Sequence, residues 1–383
     1  MFQRSLSKIL ENSAHSVLLL GPRQVGKSTL VGTLKPDIAI NLADEEDFFR
    51  LAADPGHLRA RLAARSSQAR TSVCIDEVQR LPRLLNTVQA LIDENPKRWR
   101  FLLTGSSARK LRRGKANLLP GRIHTYHLGA LTLHEAPEHP LEEWLAFGGL
   151  PGVVSEPNTR EKKKTLRSYA SSYLKEEIQA EALTRNLDGF ARFIRASAEW
   201  SGRGFDASKL SRVIGVPRLS VMRWAEILED TLLARRVEAF AKSLTRRLVQ
   251  HPHFYCFDLG DLNGLLGGFD VSSDRRGLLF EHFFLQQLCD SAAASDVDIR
   301  VSTFRTAAGA EVDFIVEAND RVFAVELKAS NSVQEADGRH FSIFKSYYGK
   351  KFEAIICYAG TVRLRFDDAW ALSMADTIHE ILD

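Results

Sequence analysis

The run Gly21-Pro22-Arg23-Gln24-Val25-Gly26-Lys27-Ser28-Thr29 has the residue types and spacing of a phosphate-binding P-loop. Glycine at both ends lets the backbone turn tightly and aim its N–H groups at a polyphosphate. Gly21, Gly26, Lys27, Ser28 and Thr29 would line that turn, with Lys27 reaching the β- and γ-phosphates and Ser28 ligating Mg²⁺. Farther along, Val73-Cys74-Ile75-Asp76-Glu77 is an apolar run that ends in two carboxylates. Where such runs serve phosphoryl transfer, the first acid holds the metal and the next polarises the attacking water, which assigns Asp76 to Mg²⁺ and Glu77 to water. The pair of motifs predicts that the chain binds ATP with Mg²⁺ as cofactor.

Other residues could complete that chemistry. Thr104-Gly105-Ser106-Ser107 offers a hydroxyl, from Thr104 or Ser106, that could report the γ-phosphate. Pro120-Gly121-Arg122 follows a basic stretch with Arg109, Arg112, Arg113 and Lys115. Arg122, its backbone fixed by proline and glycine, is the candidate for an arginine finger acting on a neighbouring subunit's nucleotide. A separate constellation lies near the C-terminus. Glu326 and Lys328 stand two apart on an expected strand and share its face, and Asp313 lies on the preceding strand. If the strands pair, two carboxylates could hold Mg²⁺ while Lys328 positions water against a phosphodiester. Glu281, amid apolar residues of an expected helix, could join them.

These side chains need a scaffold. Expected strands at 17–20, 38–42, 73–75 and 101–104 alternate with helical stretches such as 84–94. That alternation predicts an α/β fold, a parallel sheet with helices on both faces and ligands at the carboxyl ends of its strands. Phe147-Gly148-Gly149-Leu150-Pro151-Gly152 marks a domain edge or a tight packing turn. Helical periodicity runs from about 160 to 200, with Tyr169, Tyr173 and Glu177 in register, and Lys162-Lys163-Lys164 reads as a solvated helix face. Residues 206–238 read as a winged helix-turn-helix: Asp206 caps a first helix, Gly215 turns, Pro217 starts a second, and a strand or wing follows. The second helix would turn Arg218, Ser220 and Arg223 outward as DNA contacts, with Val221, Ala225 and Leu228 inward. A packing or oligomerisation module is the other reading of the same pattern. Paired strands near 310–316 and 322–328, turning at Asn319-Asp320, would carry the C-terminal acids.

The composition suits a cytoplasmic protein of two or three domains. It has 383 residues, 44% of them hydrophobic. No apolar run reaches the ~20 residues of a membrane helix, and the first residues lack a secretory leader's apolar segment. Cys74, Cys256, Cys289 and Cys357 are too scattered for a zinc site or disulfide framework. The net charge of +4 conceals an asymmetry. Residues 1–155 carry 21 Lys and Arg against 15 Asp and Glu, residues 156–255 carry 19 against 12, and residues 256–383 carry 12 against 21. A basic middle suits a nucleic-acid backbone or an acidic protein, whereas the acidic end would be repelled by phosphate.

With these residues in place, the chain resembles over nearly its full length a broad prokaryotic family of AAA-type ATPases with a C-terminal nuclease-like domain. The resemblance rests on Gly21 to Thr29, Asp76-Glu77, Leu103-Thr104-Gly105-Ser106-Ser107, Pro120-Gly121-Arg122, Phe147-Gly148-Gly149-Leu150-Pro151, Phe280-Glu281, Glu311-Val312-Asp313-Phe314 and Glu326-Leu327-Lys328. The last three also resemble the PD-(D/E)xK nuclease superfamily. The chain departs from the family at His251-Pro252-His253 and Asp258-Leu259-Gly260, where members often carry a lysine-rich run before Asp-Thr-Gly-Leu. The resemblance implies an ATPase domain at 1–155, a helical and winged-helix region at 156–255 and a restriction-endonuclease-like α/β domain at 256–383. It also implies a homo-oligomeric ring, plausibly a hexamer. Three functions stay open: an ATPase that remodels DNA, an ATP-regulated DNA nuclease, and an ATP-controlled switch acting on a protein partner. The first is the leading expectation.

Overall fold

A computed structural model describes residues 2–64, 70–106, 111, 119–170, 186–241 and 251–383. Ser107, Arg109, Arg112, Arg113, Lys115, Tyr173 and Glu177 lie outside the described residues. The chain divides into two compact units, one built mainly from residues 1–129 and the other from 130–229, 233–292 and 297–383.

In the first unit, α1 (Leu6–Asn12) precedes β1 (Ser16–Leu20), α2 (Lys27–Thr33), β2 (Ile38–Asn41), α3 (Glu45–Ala53), α4 (Gly56–Ala63), β3 (Thr71–Asp76), α5 (Leu84–Glu94), β4 (Trp99–Gly105) and β5 (Ile123–His127). The strands form one parallel sheet in the order β2-β3-β4-β1-β5. β1 is buried at every position, as a central strand covered by helices on both faces must be. The parallel sheet is the one expected from the alternating pattern. Chain order reverses beside β1, and the carboxyl end beside such a reversal is where open α/β sheets bind ligands.

The second unit holds α6 (Leu141–Phe147), α7 (Pro151–Val154), α8 (Thr159–Ser168) and α9 (Leu187–Glu199), then β6 (Arg203–Gly204), α10 (Ala207–Ile214), α11 (Arg218–Asp230), β7 (Ala234–Ala239) and β8 (His253–Cys256). It continues through α12 (Leu259–Leu266), α13 (Ser273–Ser295), β9 (Ile299–Arg305), β10 (Glu311–Ala318), β11 (Arg321–Lys328), α14 (Phe341–Tyr348), β12 (Glu353–Tyr358), β13 (Leu364–Phe366), β14 (Ala369–Ser373) and α15 (Met374–Leu382). Nine strands make one mixed sheet, β13-β14-β12-β11-β10-β9-β7-β8-β6. It crosses residue 255, where the sequence suggests a domain boundary, because β7 pairs with β8 on one side and β9 on the other.

Two sequence features acquire structural roles here. Gly148 has φ of +68°, and the Gly149 N–H donates to Asp258 at 2.7 Å. A Cβ on Gly260 would lie 2.2 Å from the Phe147 carbonyl oxygen. The glycine-rich run and Asp258-Leu259-Gly260 are therefore two halves of one packing turn, with Asp258 also capping α12. The lysine run is not uniformly solvated: Lys162 is buried, 2.6 Å from Glu143 and over the Phe147 ring. Its aliphatic stem packs inward while its ammonium finds a carboxylate.

Candidate functional site

The P-loop connects the end of β1 to α2 and is held from several sides. A Cβ on Gly21 would stand 2.2 Å from the Leu128 carbonyl oxygen, so only glycine fits against the chain leaving β5. Gln24 and Gly26 take φ of +63° and +94°, the left-handed turn that folds the loop back. Val25 is fully buried, and its carbonyl accepts from the Arg4 guanidinium at 2.8 Å. Arg4 reaches the Gly129 carbonyl as well, at 3.0 Å. The Lys27 side chain is buried in the loop, its ammonium donating to the carbonyls of Gly21 at 2.9 Å and Pro22 at 2.7 Å. Ser28 and Thr29 are exposed on the first turn of α2.

β3 brings Asp76 to its carboxyl end, and Glu77 follows with φ of +58°. That left-handed residue ends the strand. Between β3 and β1 runs β4, whose Thr104 is fully buried. The Thr104 hydroxyl donates to Asp76 and accepts from the Glu77 N–H at 3.1 Å. The structure thus brings Asp76, Glu77 and Thr104 together, with Thr104 bonded to the two acids. Ser106, also buried, accepts from Gln79 at 3.0 Å, and Gln79 donates to the Glu77 carboxylate too. The donor set suits Mg²⁺: a serine hydroxyl and a carboxylate are the hard oxygen ligands this ion takes. Ser28 and Asp76 would hold it, and the ion would neutralise charge developing on the phosphates.

Arg122 lies elsewhere. It precedes β5, whose first residue pairs with Ser16 at the start of β1, so it stands at the sheet edge opposite the P-loop. There it makes a two-point ion pair with Asp93, at 2.6 and 3.1 Å.

Of the expected DNA contacts, Arg218 and Arg223 are exposed on α11 and Ser220 is half-buried. Val221, Ala225 and Leu228 are buried as the spacing predicts, Asp206 caps α10, and Gly215 turns with φ of +68°. Leu219, 77% exposed, and Met222 share the outer surface with the arginines.

The C-terminal acids gather around the β10–β11 hairpin, which turns at Asn319 and Asp320, both at positive φ. Asp313 accepts from the Leu327 N–H at 2.7 Å, and Glu281 accepts from the Tyr255 hydroxyl at 2.6 Å. Burial pushes the Glu281 carboxyl up to about 8, with the Asp313 charge adding to it. Burial likewise raises Asp313 and Glu326, and their mutual repulsion raises Glu326 further. Lys328 is turned to Asp337 at 3.7 Å, and His340 lies 3.5 Å from Glu326. Among the described residues, no three or more His, Cys, Asp or Glu side chains are grouped so as to hold a metal ion. Glu281, Asp313, Glu326 and Lys328 share one region, yet the lysine is drawn to another acid.

Arg4 and Gln79 escape sequence reasoning. Arg4 lies 21 residues from Val25 and 125 from Gly129, and no motif links them. Gln79 follows Glu77 by two residues, a proximity that carries a weak signal.

Comparison with known proteins bears on the fold of the first unit. Residues 13–136 match a family model described as an AAA domain, and residues 138–272 and 276–377 match two domains of unknown function, DUF8612 and DUF4143. The first unit is thus similar to AAA domains, and its loop, acidic strand end and parallel sheet define the class: an AAA-type P-loop ATPase fold. Uncharacterized proteins of Mycobacterium tuberculosis and Mycobacterium bovis are each 27% identical over 323 residues, covering 82% of this chain and 70% of theirs. Solved structures resemble it loosely. A single-residue variant of Thermotoga maritima RuvB matches 61% of this chain and 86% of its own at 18% identity and a TM-score of 0.28. A DNA polymerase III gamma subunit-related protein of Thermotoga maritima matches 59% and 98% at 13% identity and a TM-score of 0.26. The family match, rather than these loose likenesses, carries the class. No helix among the described residues is long and apolar enough to cross a membrane.

Proposed function

We propose that this chain hydrolyses ATP with Mg²⁺ and uses the cycle to remodel DNA. The observation that carries the ATPase reading is the linkage across three adjacent strands: the P-loop leaves β1, Asp76 and Glu77 end β3, and Thr104 on β4 bonds both acids. In this reading Lys27 leaves its carbonyl partners for the phosphates, Ser28 and Asp76 take the metal, and Glu77 orients water in line with the γ-phosphate. Arg122, at the strand end opposite the P-loop, would act on a neighbouring subunit's nucleotide, after release from Asp93. That is the basis for a homo-oligomeric ring. DNA is proposed as the partner because Arg218 and Arg223 are exposed and make no ion pair among the described residues.

ATP turnover with Mg²⁺, alone and with single-stranded, duplex and four-way-junction DNA, tests the reading. Stimulation without cleavage supports remodelling, and turnover indifferent to every DNA transfers the role to a protein-directed switch. The buried acids near β10 favour a second reading, a nuclease. It requires metal-dependent cutting that Asp313→Ala removes.

A further inference from the structure

We propose that Gln79 is a positioning residue that couples the Glu77 carboxylate to Ser106 at the end of β4. This rests on the reading of Glu77 as the water-activating group.

Gln79 sits in the short turn Val78–Arg80 after β3 and is 6% exposed. Its amide nitrogen donates to the Glu77 carboxylate and, at 3.0 Å, to the Ser106 hydroxyl. The opposite amide orientation would set its oxygen against the Glu77 carboxylate, so the chemistry of the neighbours fixes which end is nitrogen. The amide oxygen is buried and has no hydrogen-bond partner among the described residues. A buried polar atom left in that state marks an amide whose orientation is dictated by its other end. Gly105 completes the arrangement: a Cβ there would come within 3.1 Å of the Gln79 oxygen, so glycine leaves room for the amide beside β4.

A continuous chain results: Asp76 to Thr104, Thr104 to the Glu77 N–H, the Glu77 carboxylate to Gln79, and Gln79 to Ser106. Glu77 is thereby held at both its backbone and its carboxylate by groups tied to β4. A carboxylate has about four lone-pair sites, so one amide donor fixes its plane and leaves others for water. Any displacement of Ser106 when phosphate enters or leaves is transmitted through the Gln79 amide to the orientation of the base.

The test compares Gln79→Met, close to glutamine in size and without a donor, and Gln79→Glu, which sets a second carboxyl against that of Glu77, with Ser106→Ala, Gln79→Met/Ser106→Ala and Glu77→Gln. Fluorescent-nucleotide affinity, kcat, KM and melting temperature are measured for each. The expected result is kcat lower by ~10-fold or more in both Gln79 variants, in the range of positioning effects, with nucleotide affinity and KM unchanged. The double variant should lose no more than its worse parent, since both changes break one connection. Unchanged kcat in Gln79→Met and Gln79→Glu overturns the proposal while inactive Glu77→Gln leaves the base assignment standing. Parallel loss of affinity, kcat and melting temperature also overturns it, because it assigns Gln79 to packing alone. Normal turnover by Glu77→Gln removes the base assignment and the coupling with it.

Discussion

In the proposed cycle Lys27 exchanges the loop carbonyls that now hold its buried ammonium for phosphate oxygens. Lys27→Ala should abolish nucleotide binding in a fluorescent-ATP titration, and retained binding would remove the loop from the site. Glu77→Gln, by contrast, should bind ATP normally and hydrolyse it slower by ~10²-fold or more. Gly21→Ala tests the scaffold instead of the chemistry. The added methyl would collide with the Leu128 carbonyl, so both melting temperature and nucleotide affinity should fall. The P-loop residues and both acids are legible from sequence because each motif is contiguous and its chemistry depends on spacing. Arg4 is not legible, since its value comes from contacts with backbone carbonyls that only the folded chain brings near.

At the scale of elements, the helix-turn-helix is legible from its punctuation: Asp206, Gly215 and Pro217 act where their chemistry places them, as cap, left-handed turn and helix start. The outer face of α11 is less so, because periodicity identifies which residues point outward without saying what they meet. Replacing Arg218 and Arg223 together should weaken DNA binding and lower the salt slope by about 2, measured as affinity against salt concentration. An unchanged slope would leave Leu219 and Met222 as the better guide and the face as a protein contact. The hairpin of β10 and β11 is legible down to its Asn319-Asp320 turn. The partner of Lys328 is not, since Asp337 is brought close by the fold beyond the strand.

Across the whole molecule, burial in the second unit raises the proton affinity of Asp261 and Glu281. Burial pushes Asp261 up to about 8, with the neighbouring Asp258 charge adding to it. In the unfolded chain such a group titrates near ~3.9. The native state therefore binds the proton more tightly, and the stability this contributes is complete below the unfolded value and lost as pH rises through about 8. Glu281 has the same sign. His282, lowered to about 4 by burial, acts in the opposite sense, but in acid, below its ordinary range. The melting temperature should consequently fall from pH 6.5 to about 8 and level off above it, and Asp261→Asn should flatten that fall. Equal slopes for both proteins would place the loss elsewhere.

The nine-stranded sheet has a bearing on inheritance. Families recognised by sequence meet between residues 272 and 276, but backbone hydrogen bonds run straight across that seam, where Glu238 and Ala239 of β7 lie beside Ser302 and Thr303 of β9. A fragment beginning at residue 276 would bare that flank of β9 as a raw edge open to other chains. A cut in the gene at the seam would therefore leave each half with a bared strand, β7 in one and β9 in the other, so each of the two segments supplies the other's missing neighbour.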